Sequence, residues 1–145
     1  MKKIFLVLLS VFLFGGAVYY FSSSWSGDKG PKINIGEKEF LVEIADNSAE
    51  RSRGLGGRES LCQECGMLFE FARPGVHSFW MKNMQFSLDI IWILDDRVVF
   101  IAKNVPVDLK GVINPGVSAD RVLEINAGLS EKYGIREGSQ VKIGN

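Results

Sequence analysis

The stretch from His77 to Ile93 carries polar side chains where a plain core strand would carry none. Lys82, Asn83 and Asp89 are set among Phe79, Trp80, Met81, Phe86 and the run Leu88-Asp-Ile-Ile-Trp-Ile93. Burying an unpaired charge costs several kcal/mol, so such groups are paired, solvated in a pocket or kept for function. Asp89 is flanked by apolar positions on both strand faces, because odd and even positions of its run are equally apolar. Its carboxylate either caps backbone N–H groups, pairs with an arginine, or lies in a pocket with Lys82 as partner. Lys82 shares a strand face with Trp80 if the segment is regular. An ammonium beside an aromatic ring suits an anionic or carbonyl ligand. Its plainer alternative is a solvated lysine whose stem covers the ring. Glu124, between Leu123 and Ile125, is either an edge or paired carboxylate or a second acid facing the same cavity.

Cys62 and Cys65 form a Cys-x-x-Cys pair. In thioredoxin-like proteins that motif opens a helix, which lowers the pKa of the first thiol. Here Gly66 and a strand pattern follow, so a local disulfide, half a metal site and thiol–disulfide chemistry all stay open, the disulfide favoured. His77 is the one histidine, so no multi-Cys/His zinc framework is expected and no metal site is assigned. No cofactor is assigned either. The spacing gives His77 no nucleophile to serve, and it is read as a loop residue.

The elements that position these groups are short. Lys32–Ile35 and Glu39–Ala45 predict a hairpin bent at Gly36-Glu37, with Phe40, Val42 and Ile44 on one face. Asn47 and Glu50 have capping-box spacing for a short helix to about Arg53, ended by Gly54-Leu-Gly-Gly57. Strands are expected at Met67–Phe71, stopped by Arg73-Pro-Gly75, at Phe79–Met81, and at Leu88–Leu94. Asp95-Asp96 should link the last of these to Arg97–Ala102. Asn104 to Asp120 reads as a long loop, followed by a strand at Arg121–Asn126, one helical turn at Ser130–Tyr133 and a strand at Gly138–Ile143. The expected fold is mostly β (α+β), a small β-barrel or sandwich of about seven short strands with two short helices, preceded by an N-terminal hydrophobic helix.

That leading segment, residues 1–21, has Lys2 and Lys3 before an apolar run over 4–21. As a helix the run is about 27 Å long, just enough for a bilayer core with little tilt. The lysines place its start in the cytoplasm and the rest outside. Tyr19, Tyr20 and Trp25 favour a retained anchor in the cytoplasmic membrane over a cleaved signal, which would release a secreted chain. Residues 22–31 are a Ser/Gly linker and 32–145 the globular domain. Net charge is zero with Lys2 and Lys3 counted, so nothing supports nucleic-acid binding.

Several blocks then become recognisable in order: Arg53-Gly-Leu, Arg58, Leu61, Gly66-Met-Leu-Phe69, Phe79-Trp-Met-Lys-Asn83, Leu88-Asp-Ile-Ile91 and Val122-Leu-Glu-Ile-Asn-Ala-Gly128. Over Lys32 to Ile143 the chain resembles the bacterial and archaeal family catalogued as domain of unknown function 192. The resemblance implies a small exported or membrane-anchored β-rich domain and no assigned activity. The Cys62–Cys65 pair is not part of the family's pattern, so no redox role follows from it. The resulting expectation is an envelope-exposed binding or accessory domain whose unknown small-molecule, glycan or protein ligand meets Trp80, Lys82 and Asn83, with Asp89 and Glu124 in support. The alternative is an enzyme on an envelope substrate, with Asp89 or Glu124 as acid and base and Lys82 stabilising negative charge. The lack of an evident nucleophile–base pair favours binding.

Overall fold

The structure is a computed structural model that describes residues 30–144. The expected N-terminal helix of residues 1–21 and most of the linker therefore lie outside the described residues. Among the described residues no helix is long and apolar enough to cross a membrane.

Local rules set the element ends. β1 (Lys32–Ile35) turns into β2 (Lys38–Ala45) through Gly36, whose φ of +61° suits a residue without Cβ. Asn47 caps α1 (Ser48–Arg53), its side-chain oxygen accepting from Glu50 N–H at 3.0 Å. β3 (Cys65–Gly75), β4 (Leu88–Leu94), β5 (Arg97–Val105) and β6 (Ala119–Asn126) follow, then α2 (Leu129–Lys132) and β7 (Val141–Gly144). Asp95 and Asp96 join β4 to β5 with φ of 48° and 58°, the paired left-handed geometry that matches strand twist.

The strands form one sheet in the order β5-β4-β6-β3-β2-β1-β7, antiparallel at every step except the parallel pair β2–β3. This is a curled half-barrel, not two packed sheets. Register shifts in the β4–β5 ladder bend its outer strand. The curl brings the two edges together at one end, where Val98 N–H donates to Ser139 at 3.0 Å and Val141 N–H to Asp96 at 2.8 Å. Inside the curl Ile33, Phe40, Leu68, Ile91, Leu123 and Val141 make one core. Outside it Met67, Phe69, Ile90, Trp92 and Val122 make a second, roofed by Leu55, Leu61 and Met81 from the connecting loops. A strand such as β4, buried on both faces, reads as a continuous apolar run for this reason.

Three expectations are corrected. Phe79–Met81 is not a strand but part of a loop over the outer core, joined to the 106–118 loop by one bridge, Phe79 with Ile113. Met81 is buried there by packing, without a ladder. β3 does not stop before Arg73-Pro-Gly75 but runs through it, a register shift against β6 taking up the residues between Glu70 and Gly75. β7 begins at Val141, because Gly138 turns with φ of +83°.

Candidate functional site

Glu124 sits in the middle of the sheet, paired across β6 with Met67 on β3 and Ile90 on β4. Leu123 and Ile125 point into the inner core, so Glu124 points outward with Val122. It is 4% exposed, and its Oε2 is buried without a hydrogen-bond partner among the described residues. Burial pushes its carboxyl pKa up to about 8, so near neutral pH it is largely the protonated acid.

Above it lies a cavity of about 380 Å³, with Glu124, Phe69, Phe79, His77, Trp80 and Lys82 among its lining. Gly54 keeps this space open. A Cβ there would stand 3.3 Å from the Phe69 ring and 3.8 Å from Glu124 Oε2, and φ of +52° strains any other residue. Gly66, on the neighbouring strand, meets the Glu124 carbonyl where a Cβ would be 2.9 Å away.

One wall is the loop after β3. His77 stacks on Phe71 with ring centroids 3.5 Å apart, and its carbonyl accepts from Trp92 Nε1 at 2.7 Å. Its Nε2 is a second buried atom without a partner among the described residues. Phe79 meets Phe69 and Trp92 edge-on, at 4.9 and 5.6 Å between centroids. Trp80, 53% exposed, stands at the mouth. The opposite wall is α1 and its end. Arg51 donates to the carbonyls of Asp46 and Glu70 and lies over Phe71, while Arg53 also lines the space.

The structure thus brings Trp80, Lys82 and Glu124 to one cavity and keeps Asp89 and Asn83 out of it. Asn83 sits in the turn after Lys82, at φ of 60°, and lines a second depression with Val107 and Lys110, which Trp80 and Lys82 also border. Asp89 belongs to the other face of the sheet. Its Oδ1 accepts from Asn104 N–H at 2.7 Å and its Oδ2 from Ser130 N–H at 2.8 Å, which ties the end of β5 to the start of α2. This is the backbone-capping alternative. Cys62 and Cys65 are joined as a disulfide with Cα atoms 5.1 Å apart, and neither lines the cavity. Reasoning from sequence missed Arg53, Gly54 and the His77 imidazole as parts of the site. Basic residues followed by glycines are the ordinary signature of a helix end, and nothing in them separates a cavity wall from a cap.

A protonated carboxylic acid at the bottom of an aromatic cavity, with cations nearer the mouth, can donate or accept a hydrogen bond to a bound molecule. It can also exchange a proton with one.

Two solved structures are similar to this chain. A protein of unknown function from Novosphingobium aromaticivorans DSM 12444 is 35% identical, with a TM-score of 0.73 over 77% of this chain and 83% of its own. A protein from Sinorhizobium meliloti 1021, described as a candidate transcription regulator, is 25% identical, with a TM-score of 0.74 over 81% of this chain and 98% of its own. No functionally curated protein matches the chain. The family model described as "Uncharacterized ACR" matches residues 32–143, from the first residue of β1 almost to the end of β7, and the chain therefore belongs to the domain of unknown function 192 family.

Proposed function

We propose that this domain is a binding module that holds a small organic ligand in the cavity above Glu124, carried on the outer side of the cytoplasmic membrane by residues 4–21. One observation carries the reading: Glu124 Oε2 is buried, faces the cavity and has no partner among the described residues. A buried polar atom left unsatisfied costs roughly 1–3 kcal/mol, a cost a fold bears when a ligand or water completes the bond. The aromatic walls supply apolar contact, as in most small-molecule sites. The tether is supported by Lys2, Lys3 and the uncharged run that follows. The transcription-regulator description of the Sinorhizobium protein finds little support here, since acidic and basic residues balance and give no basic excess for DNA.

A second reading, general acid–base catalysis, is favoured by the raised pKa of Glu124, because perturbed carboxyls cluster at catalytic sites. Binding ranks first because an unpartnered acid among aromatic walls suits a ligand, whereas among the described residues no hydrogen bond joins Glu124 to a serine or cysteine.

The test is a fragment screen by NMR on the full chain extracted from membranes, its intact mass checked for residues 1–21. Bound fragments should move the amides of Gly54, Phe79 and Glu124, and Glu124→Leu should abolish those shifts for polar fragments. A library that leaves these amides still at millimolar concentration would sink the binding reading, and a mass lacking residues 1–21 would sink the tether.

A further inference from the structure

The two turns at the cavity mouth are clasped together by their backbones. Gly57 N–H donates to the Asn83 carbonyl at 2.9 Å, and Gln85 Nε2 reaches the Gly57 carbonyl at 3.3 Å. Gly56 lies inside the clasp, where a Cβ would be 3.0 Å from the Arg53 carbonyl oxygen and 3.3 Å from that of Lys82. Both contacts are with backbone, so neither can swing aside, and a residue without Cβ is what allows the approach. The clasp holds the backbone of Arg53, the last residue of α1, beside that of Lys82, and both residues line the cavity.

Neither cation has an ion-pair or hydrogen-bond partner among the described residues. Other basic side chains nearby are engaged: Arg58 makes two 2.6 Å bonds to Glu43, and Arg51 is held by backbone carbonyls. The C-terminal end of α1 accounts for a cation at Arg53. It gives no reason for a second at Lys82, from a different loop. Two like charges carried by neighbouring backbone at one cavity repel, and a counter-charge held by both removes that cost. The buried carboxyl of this cavity lies on its floor and is satisfied by neither of them.

We propose that the ligand is a small organic anion whose acid group lies between Arg53 and Lys82 while its carbon body packs on Phe69, Phe79 and Trp80. This rests on the ligand-binding reading above and adds the charge class. The Glu124 carboxyl then meets a polar group at the far end of the same molecule.

The probes are benzoate and benzyl alcohol, which share a ring and differ in charge, titrated into the full chain in nanodiscs of zwitterionic lipid and followed at the Phe79 and Glu124 amides. Benzoate should bind about tenfold more tightly than benzyl alcohol at low salt, and the gap should narrow as salt rises. In Arg53→Gln/Lys82→Gln the preference should vanish with benzyl alcohol unchanged, which also shows that the variant is folded. Arg53→Lys/Lys82→Arg should restore it. Equal binding of both probes, or a preference that survives the double variant, would overturn the anion site and leave the cavity reading standing. If neither probe moves the cavity amides, both readings fall.

Discussion

Asp89 and Glu124 are buried carboxylates on adjacent strands, one rung apart and pointing to opposite faces of the sheet. Asp89 has an N–H donor for each oxygen, one from a β5 residue with φ of 51° and one from the first turn of α2. Glu124 has an oxygen with no partner and a cavity in front of it. The same functional group, equally withdrawn from water, is a structural pin on one face and an open valence on the other. Burial alone therefore says little about function. What separates the two is whether the fold itself completes the hydrogen bonds.

The largest break in this comparison should come from Asp89→Ala. It leaves the Asn104 and Ser130 N–H groups without their acceptor and unties β5 from α2, a loss of roughly 3–5 kcal/mol in urea unfolding. A loss under about 1 kcal/mol would show that the clamp is not structural.

Glu124→Gln should act in the opposite sense. The folded pKa of about 8 lies above the ordinary 4.5, so between those values the unfolded chain has released the proton that the folded chain still holds. The stability this group contributes is full below about pH 4.5 and falls away as pH rises towards 8. Glutamine keeps the shape and cannot ionise, so the variant should match the wild type near the lower pH and exceed it by about 2–4 kcal/mol near the upper one. The check is urea unfolding across that range. A difference that stays flat with pH would mean that Glu124 is charged in the fold.

Gly54→Ala should cost less, roughly 1–3 kcal/mol, because φ of 52° with ψ of −139° is a backbone conformation that essentially only glycine adopts. Its new Cβ meets Phe69, so benzoate binding should weaken beyond what the stability loss explains. Gly128, at φ of +84° and ψ of −10° near Asn104, is the control on the Asp89 side: Gly128→Ala in this left-handed region should destabilise less and leave binding alone. Equal effects of both on binding would erase the distinction between the two faces.

Much of the fold was legible because it follows local rules. The Gly36 hairpin, the Asn47 cap, the limits of β4 and the Asp95-Asp96 turn each depend on a few neighbouring residues. Phe79–Met81 was not legible, since three apolar residues in a row look alike whether a ladder or a second core buries them. The parallel step between β2 and β3 carries no signal in either strand. For the site, Glu124 betrayed itself as a charge inside an apolar strand. Asp89 did so equally, and the donors that separate them come from residues 15 and 41 positions away. Arg53 and Lys82 are likewise joined only by the clasp at Gly56 and Gly57, which no periodicity announces.

The pairing of the first strand with the last has a mechanical consequence. Lys32 lies opposite Gly144, so the chain enters and leaves the fold at one rung of the β1–β7 ladder. Tension between the two ends would unzip that four-rung ladder one pair at a time, instead of shearing all of its bonds together. The ladder lies at the sheet margin, three strands from Glu124 on β6. It would act as a mechanical fuse, yielding while the strands beneath the cavity remain joined.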